Sequence, residues 1–290
     1  HFLADPLQNF KVVLAAPTFH TALKNTVFLW VCNFIPQVLL ALLLTAWFTD
    51  RSSKVRGQGL FKVIFYMPNI ITAATIAILF NAMFGYPMGP VNDLLAKMNS
   101  VGFFHGLLEK MGLGAPPIYF LQSKTTTRAI VIFIQTWMWY GYTMIILISG
   151  VLGISPEIFE AAEVDGAGKW QIFFGITLPN IRPILLFTLV TSLIGGLSMF
   201  DIPKLFMLGG PDNATLTTSV YIYNQAFSGS YMYNRAAAAS IIMFIIMSVA
   251  SAILFFIMRD KDEVKMQKIK KEQMKLRKAE ERAARKGAKA

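Results

Sequence analysis

Apolar positions gather into five long runs, roughly 26–48, 63–84, 128–152, 183–206 and 236–258, separated by segments rich in Gly, Pro and charge. Crossing the hydrocarbon core as an α-helix takes about 20 apolar residues, so each run predicts one spanning helix. Strands of a membrane β-barrel would alternate over about ten residues instead, and no such alternation is visible. Pro36 and Pro68 fall inside predicted spans, while Gly141, Gly150, Gly195 and Gly196 predict sites of close helix approach. The expected fold is all-α: a polytopic transmembrane helical bundle over 1–258, followed by a charged tail over 259–290.

Composition agrees with that pattern. Of 290 residues, 55% are hydrophobic and only 15% charged, with a mean hydropathy of +0.52. That is too apolar for an ordinary soluble domain. The net charge is +11, and residues 259–290 carry 13 Lys/Arg against 6 Asp/Glu. Basic residues mark the cytoplasmic side of short loops. Arg51, Lys54, Arg56 and Lys62 follow the first run and predict a cytoplasmic loop there. Alternation then predicts 85–127 and 207–235 outside, about 154–182 inside, the tail inside and residues 1–25 outside. One further span is expected upstream of His1, since the chain opens on what reads as a loop, with no signal-peptide pattern.

Few residues suggest bond-making chemistry. Cys32 stands alone within an apolar run and reads as a packing residue; no metal site is expected. His1, His20 and His105 fall in predicted outer segments. The tail predicts attraction to anionic membrane lipid; its lack of interleaved aromatics argues against nucleic acid. No GxxxxGK[ST] phosphate loop occurs, so hydrolysis of ATP by this chain is not expected.

One predicted cytoplasmic stretch is different in character: "EAAEVDGAGKWQIFFGITLPNIRP", 160–183. Ser155 reads as an N-cap and Pro156 as the first helical residue. Gly166 and Gly168 read as the end of that helix. "KWQIFFGI" predicts a second short helix that stops before Leu178-Pro179. Glu160, Glu163 and Asp165 lie in a solvated loop rather than a closed pocket, which excludes a tuned catalytic pair. No catalytic residue is therefore expected.

The stretch resembles the signature loop of binding-protein-dependent ABC importer permeases: EAA, three residues, Gly, nine residues, Ile, one residue, Leu-Pro. Glu160-Ala161-Ala162, Gly166, Ile176 and Leu178-Pro179 match at those spacings. "SMFDIPKLFMLGGPDNATLTTSVYIYNQAF", "ALKNTVFL" and "FKVIFYMPNIITAATIAILFNAMF" are similar to the carbohydrate-uptake branch. The resemblance implies a type I permease fold of six spans and no cofactor on this chain. It also implies a second homologous permease subunit, two ATPase subunits that use ATP and Mg, and an extracellular solute-binding protein. Glu160, Ala161, Ala162, Asp165, Gly166, Ile176, Leu178 and Pro179 would then couple to the ATPase.

Sugar binding calls for aromatic faces and hydrogen-bonding groups that replace water. Candidates within spans are Asn33, Asn81, Trp137, Tyr140, Tyr142 and Asp201. Asp201 has three readings: pairing with Lys204, a helix terminus, or contact with solute. The aromatics equally fit helix packing or interfacial anchoring. The 208–227 segment fits a binding-protein contact, a lining of the outer mouth or a re-entrant surface loop. A permease for polyols, glycerol phosphate, amino acids or peptides is the alternative, and an ATP-independent carrier is the rival from another class.

Overall fold

The computed structural model describes residues 5–50, 56–99, 106, 109–110, 115–229, 231–258 and 273–274. The basic tail, apart from Gln273 and Met274, lies outside them, as do Arg51, Lys54, His1 and His105. The chain divides into two compact units, His1–Ser248 and Val249–Ala290; the cavities described below belong to the first.

Every regular element among the described residues is helical. A short α1 (Gln8–Ala15) precedes α2 (Pro17–Thr49). At 33 residues α2 is about 50 Å long, and it starts nine residues before the predicted span. Its buried positions include Ala22, Thr26, Leu29, Asn33, Gln37, Ala41, Thr45 and Phe48. They recur every three or four residues, forming one helix face that packs along α6 (Lys124–Leu152). Pro36 sits within α2 without ending it, and Cys32 is half-buried there.

The second predicted span is broken. It forms α3 (Gln58–Ile70) and α4 (Ala73–Met83), bent by 90°. Pro68 withholds the N–H that would bond four residues back. Ile71 and Thr72 are extended, and Thr72 Oγ1 accepts the Thr75 N–H at 3.3 Å, starting a new helix. Beyond it, α5 (Pro90–Asn99) is held by Asn92. That side chain accepts the Ile118 N–H at 2.8 Å and donates to the Gly85 and Ile118 carbonyls.

The fourth predicted span breaks as well, into α10 (Arg182–Leu197) and α11 (Asp201–Met207). Pro203 again removes a donor, so the Met199 carbonyl has no helical partner. Thr217 Oγ1 donates to it instead, at 2.7 Å. Backbone freed inside a membrane must find such a partner, and here a side chain supplies it. The α12 helix (Thr218–Phe227) and α13 (Tyr233–Met258) follow. Among the described residues four helical stretches are long and apolar enough to span, and the bent pair, taken as one span, brings the number to five, in agreement with the five runs.

Glycines set two of the contacts. A Cβ at Gly141 would stand 1.9 Å from the Phe65 carbonyl oxygen, so α3 and α6 touch backbone to backbone there. A Cβ at Gly196 would stand 1.9 Å from Trp30 Cδ1. Gly150 faces the Ile184 side chain. Gly195 has open space beside it, against the expectation of a close approach.

Candidate functional site

Two features could carry function: the 156–180 hairpin and a polar cavity between the helices. The hairpin begins with α7 (Pro156–Val164), with Pro156 in its first turn and Ser155 at the N-cap position. Ser155 forms no side-chain capping bond, so its expected role reduces to placement. The helix ends at Gly166, φ +76°. The Gly166 N–H donates to Glu163 O and the Ala167 N–H to Ala162 O, at 3.1 and 2.9 Å. That paired closure needs a left-handed residue, which glycine adopts at little cost.

The second arm differs from expectation. Rather than stopping before Leu178-Pro179, α8 (Lys169–Ile172) continues through a π turn (Phe173–Thr177) into α9 (Leu178–Asn180). Pro179 cannot donate to Gly175, and its ring would crowd that carbonyl in an α-helix. The wider π turn, closed by the Leu178 N–H on Phe173 O, relieves the crowding. Gln171 Oε1 accepts the Gly168 N–H at 2.7 Å and starts the arm.

The hairpin has two unlike faces. Phe173 and Thr177 are buried, Phe159 and Leu178 pack on the apolar cluster of Phe48, Met144, Leu147 and Ile181, and Ile176 is half-buried. Glu160, Ala161, Asp165, Gly166 and Pro179 are exposed, whereas Ala162 turns inward at 9% exposure. Val164, Trp170 and Phe174 also face outward, the two rings stacked at 5.9 Å. Lys169 Nζ bonds Asp50 Oδ2 at 2.7 Å and ties the second arm to the end of α2. Between them lies a cleft of about 540 Å³, walled by Trp47, Phe159, Glu163 and Trp170 among others.

The second feature is a half-open cavity of about 300 Å³ walled by α2, α6, α10, the break before α11 and Ala73 of α4. Three of the six predicted solute residues line it: Asn33, Tyr142 and Asp201. The other three do not. Asn81 Nδ2 donates to the Phe206 carbonyl at 3.2 Å, bracing α4 against α11. Trp137 packs 5.7 Å from Phe80, and Tyr140 lies edge-on to Phe65; both are packing residues. Asp201 occupies the first turn of α11, where a helix terminus favours an acid. It does not pair with Lys204, whose Nζ donates to Asn224 Oδ1 at 2.8 Å and lies 4.5 Å from the Tyr223 ring centre.

Sequence reasoning missed Gln37, Gln135, Trp139, Thr143 and Ser192 in the same wall. Gln37 Nε2 donates to Thr143 Oγ1 at 2.8 Å, and Trp30 Nε1 donates to Ser192 Oγ at 3.4 Å. On α2 the polar spacing Thr26, Asn33, Gln37, Thr45 was the available signal. One helical face carries all four, and polar residues within a span turn toward protein or water.

A buried lattice anchors the segment leading into α12. Arg128 donates to the Ala214 carbonyl and to Asn25 Oδ1, at 2.9 and 2.7 Å. Asn25 Nδ2 donates to Asn213 O at 2.6 Å, and Thr26 Oγ1 accepts the Thr218 N–H at 2.9 Å. The start of the 208–227 stretch is therefore fixed against α2 and α6 rather than lying loose on a surface.

Among the described residues the chain is a helical bundle with stretches apolar enough to span a membrane, a polar cavity and an exposed, tethered hairpin. The chain belongs to the family of binding-protein-dependent transport system inner membrane components, whose model matches residues 25–260. It is 33% identical to the lactose transport system permease protein of Rhizobium radiobacter, over 84% of this chain and 78% of that one. The multiple sugar-binding transport system permease protein of Streptococcus mutans is 28% identical, over 85% and 78%. Its fold matches, at TM-score 0.74 and 25% identity, a chain of a bacterial alginate ABC transporter solved in complex with its alginate pentasaccharide-bound periplasmic protein, covering 87% of this chain and 82% of that one. The expected permease family and all-α fold stand, and the family is one of inner membrane components.

Proposed function

We propose that this chain is one permease subunit of an ABC importer for carbohydrates, oligosaccharides above all, working with a second homologous permease subunit. The relatives named for lactose and multiple sugars support the solute class. In this reading two partner ATPase subunits bind and hydrolyse ATP with Mg, and an external binding protein presents the sugar. The hairpin, the loop holding Arg56 and the basic tail face the cytoplasm, where Lys and Arg are enriched.

The observation that carries the mechanism is the two-faced hairpin. Glu160, Ala161, Asp165, Gly166, Val164, Trp170 and Phe174 present carboxylates, small residues and apolar rings to the outside. Exposed apolar surface rimmed by charge fits a protein partner. The inner face is packed on α2 and α6 and joined to Asp50. Displacement of the hairpin by a closing ATPase dimer therefore pulls on the two helices that wall the cavity. The cavity then opens alternately to the two sides. A carrier independent of ATP gives the outward face no purpose.

The test is co-purification of the assembly with wild-type chain, Glu160→Lys and Trp170→Ala. Loss of the ATPase, or of its solute-stimulated hydrolysis, from a folded membrane part is expected. Full assembly and stimulated hydrolysis in both variants would refute coupling through this face.

A further inference from the structure

We infer that the cavity accepts uncharged saccharides and that Asp201 acts against uronates and other anionic sugars. This rests on reading the cavity as the solute path. Among the residues lining it, Asp201 alone carries a formal charge. Two cations on the elements that wall it are committed elsewhere: Lys204 points to Asn224 and Tyr223, and Arg128 is bound to Asn25 and the Ala214 carbonyl.

The remaining polar wall is neutral. Gln135, only 7% exposed, lines the cavity with a side-chain amide. Gln37 and Asn33 add amides, and Trp139 stands edge-on to Tyr142 at 5.8 Å, presenting aromatic surface. Such a wall replaces the water of sugar hydroxyls, each of which both donates and accepts. A carboxylate stripped of water needs a cation or several converging donors. Here it would instead meet the solvent-exposed carboxylate of Asp201, and at contact distance beside protein like charges repel more strongly than in bulk water. The matched alginate transporter carries an acidic polymer, so shared fold and differing charge selectivity separate cleanly.

The experiment uses the purified full assembly without its binding protein and follows tryptophan fluorescence, since Trp30 and Trp139 line the cavity. Probes are maltotriose, raffinose and cellotriose, each neutral, against trigalacturonate and a mannuronate trisaccharide. At least one neutral probe should bind, with the uronates at least about tenfold weaker, the scale of one close like-charge contact. Asp201→Asn should narrow that gap and Asp201→Lys reverse it. Uronates binding wild type as tightly as the neutral probes would overturn the inference. If Trp139→Ala and Gln135→Leu still weakened every probe in that case, the cavity would remain the solute path. If no probe bound, or those two variants left binding unchanged, path and charge preference would fall together.

Discussion

Trp30 on α2 closes against Gly196 on α10 so tightly that a methyl group at 196 would overlap the indole, 1.9 Å from Cδ1. The same indole bonds Ser192 and stacks 5.8 Å from Phe34, so retreat into the cavity would give up both contacts. Gly196→Ala should cost about 1–3 kcal/mol through overpacking and lower sugar uptake with the displaced ring. Gly195→Ala, next door in open space, should leave melting temperature equal or slightly raised, because Ala favours helix. Thermal melts of the two variants in detergent check the pair; equal losses would mean that the contact does not order α2 against α10.

Gly141 meets main chain rather than a side chain, and main chain cannot rotate away. Gly141→Ala should therefore destabilise more than Gly196→Ala, by roughly 3 kcal/mol or more, by forcing α3 off α6. Expression yield and melting temperature are the readouts. A near-wild-type melt would show that α3 tolerates a shift at Phe65.

The Lys169–Asp50 pair is mostly exposed on the lysine side, 65% against 19%. Its contribution to stability should be at most about 1 kcal/mol. Its mechanical role should be larger. Asp50→Lys and Lys169→Asp should each leave the assembly folded yet lower solute-stimulated ATP hydrolysis several-fold, and the double swap should restore part of the loss. Unchanged stimulation in both single variants would remove the tether from the mechanism.

Thr217 supplies the donor that Pro203 denies to the Met199 carbonyl. Thr217→Val keeps shape but strands that carbonyl and removes the N-cap bond that the hydroxyl accepts from the Val220 N–H at 3.4 Å. Together the losses should cost about 1–3 kcal/mol, and Thr217→Ser should retain both bonds and most of the stability. Calorimetric unfolding of the two variants separates hydroxyl from methyl. Equal losses would assign the effect to packing alone.

Much of the bundle was legible because hydropathy is averaged over a span's length, and that average survives local breaks. The same averaging hid the breaks themselves. Ile71-Thr72 and Ser198–Phe200 are only two and three residues long and apolar enough to vanish in a window. Pro68 and Pro203 were the visible cause. The hairpin was legible through Gly166 and the spacing around it, whereas its π turn was not, because nothing local distinguishes Phe173–Thr177 from an α-helix except the proline two positions on. Of the cavity, Asn33, Tyr142 and Asp201 were found one by one. Asn81 looked equivalent, but it faces Phe206 instead. Which polar residue meets solute and which braces a neighbour depends on helix rotation, and that is settled by packing between α2, α6 and α10.

The wide turn at Phe173–Thr177 makes the interval between Gly166 and Leu178-Pro179 a matter of phase. Its i to i+5 closure holds one residue more than an α turn would. Removing a single residue there, Gly175 for instance, would close the turn to an α turn and bring the Pro179 ring over the carbonyl then four residues before it, that of Phe174. The crowding would have to be relieved by breaking the arm near Pro179, which would loosen Ile181 from the apolar cluster where it is 1% exposed. Length in this loop is thus held as strictly as residue identity, and insertions or deletions should be tolerated far worse than substitutions.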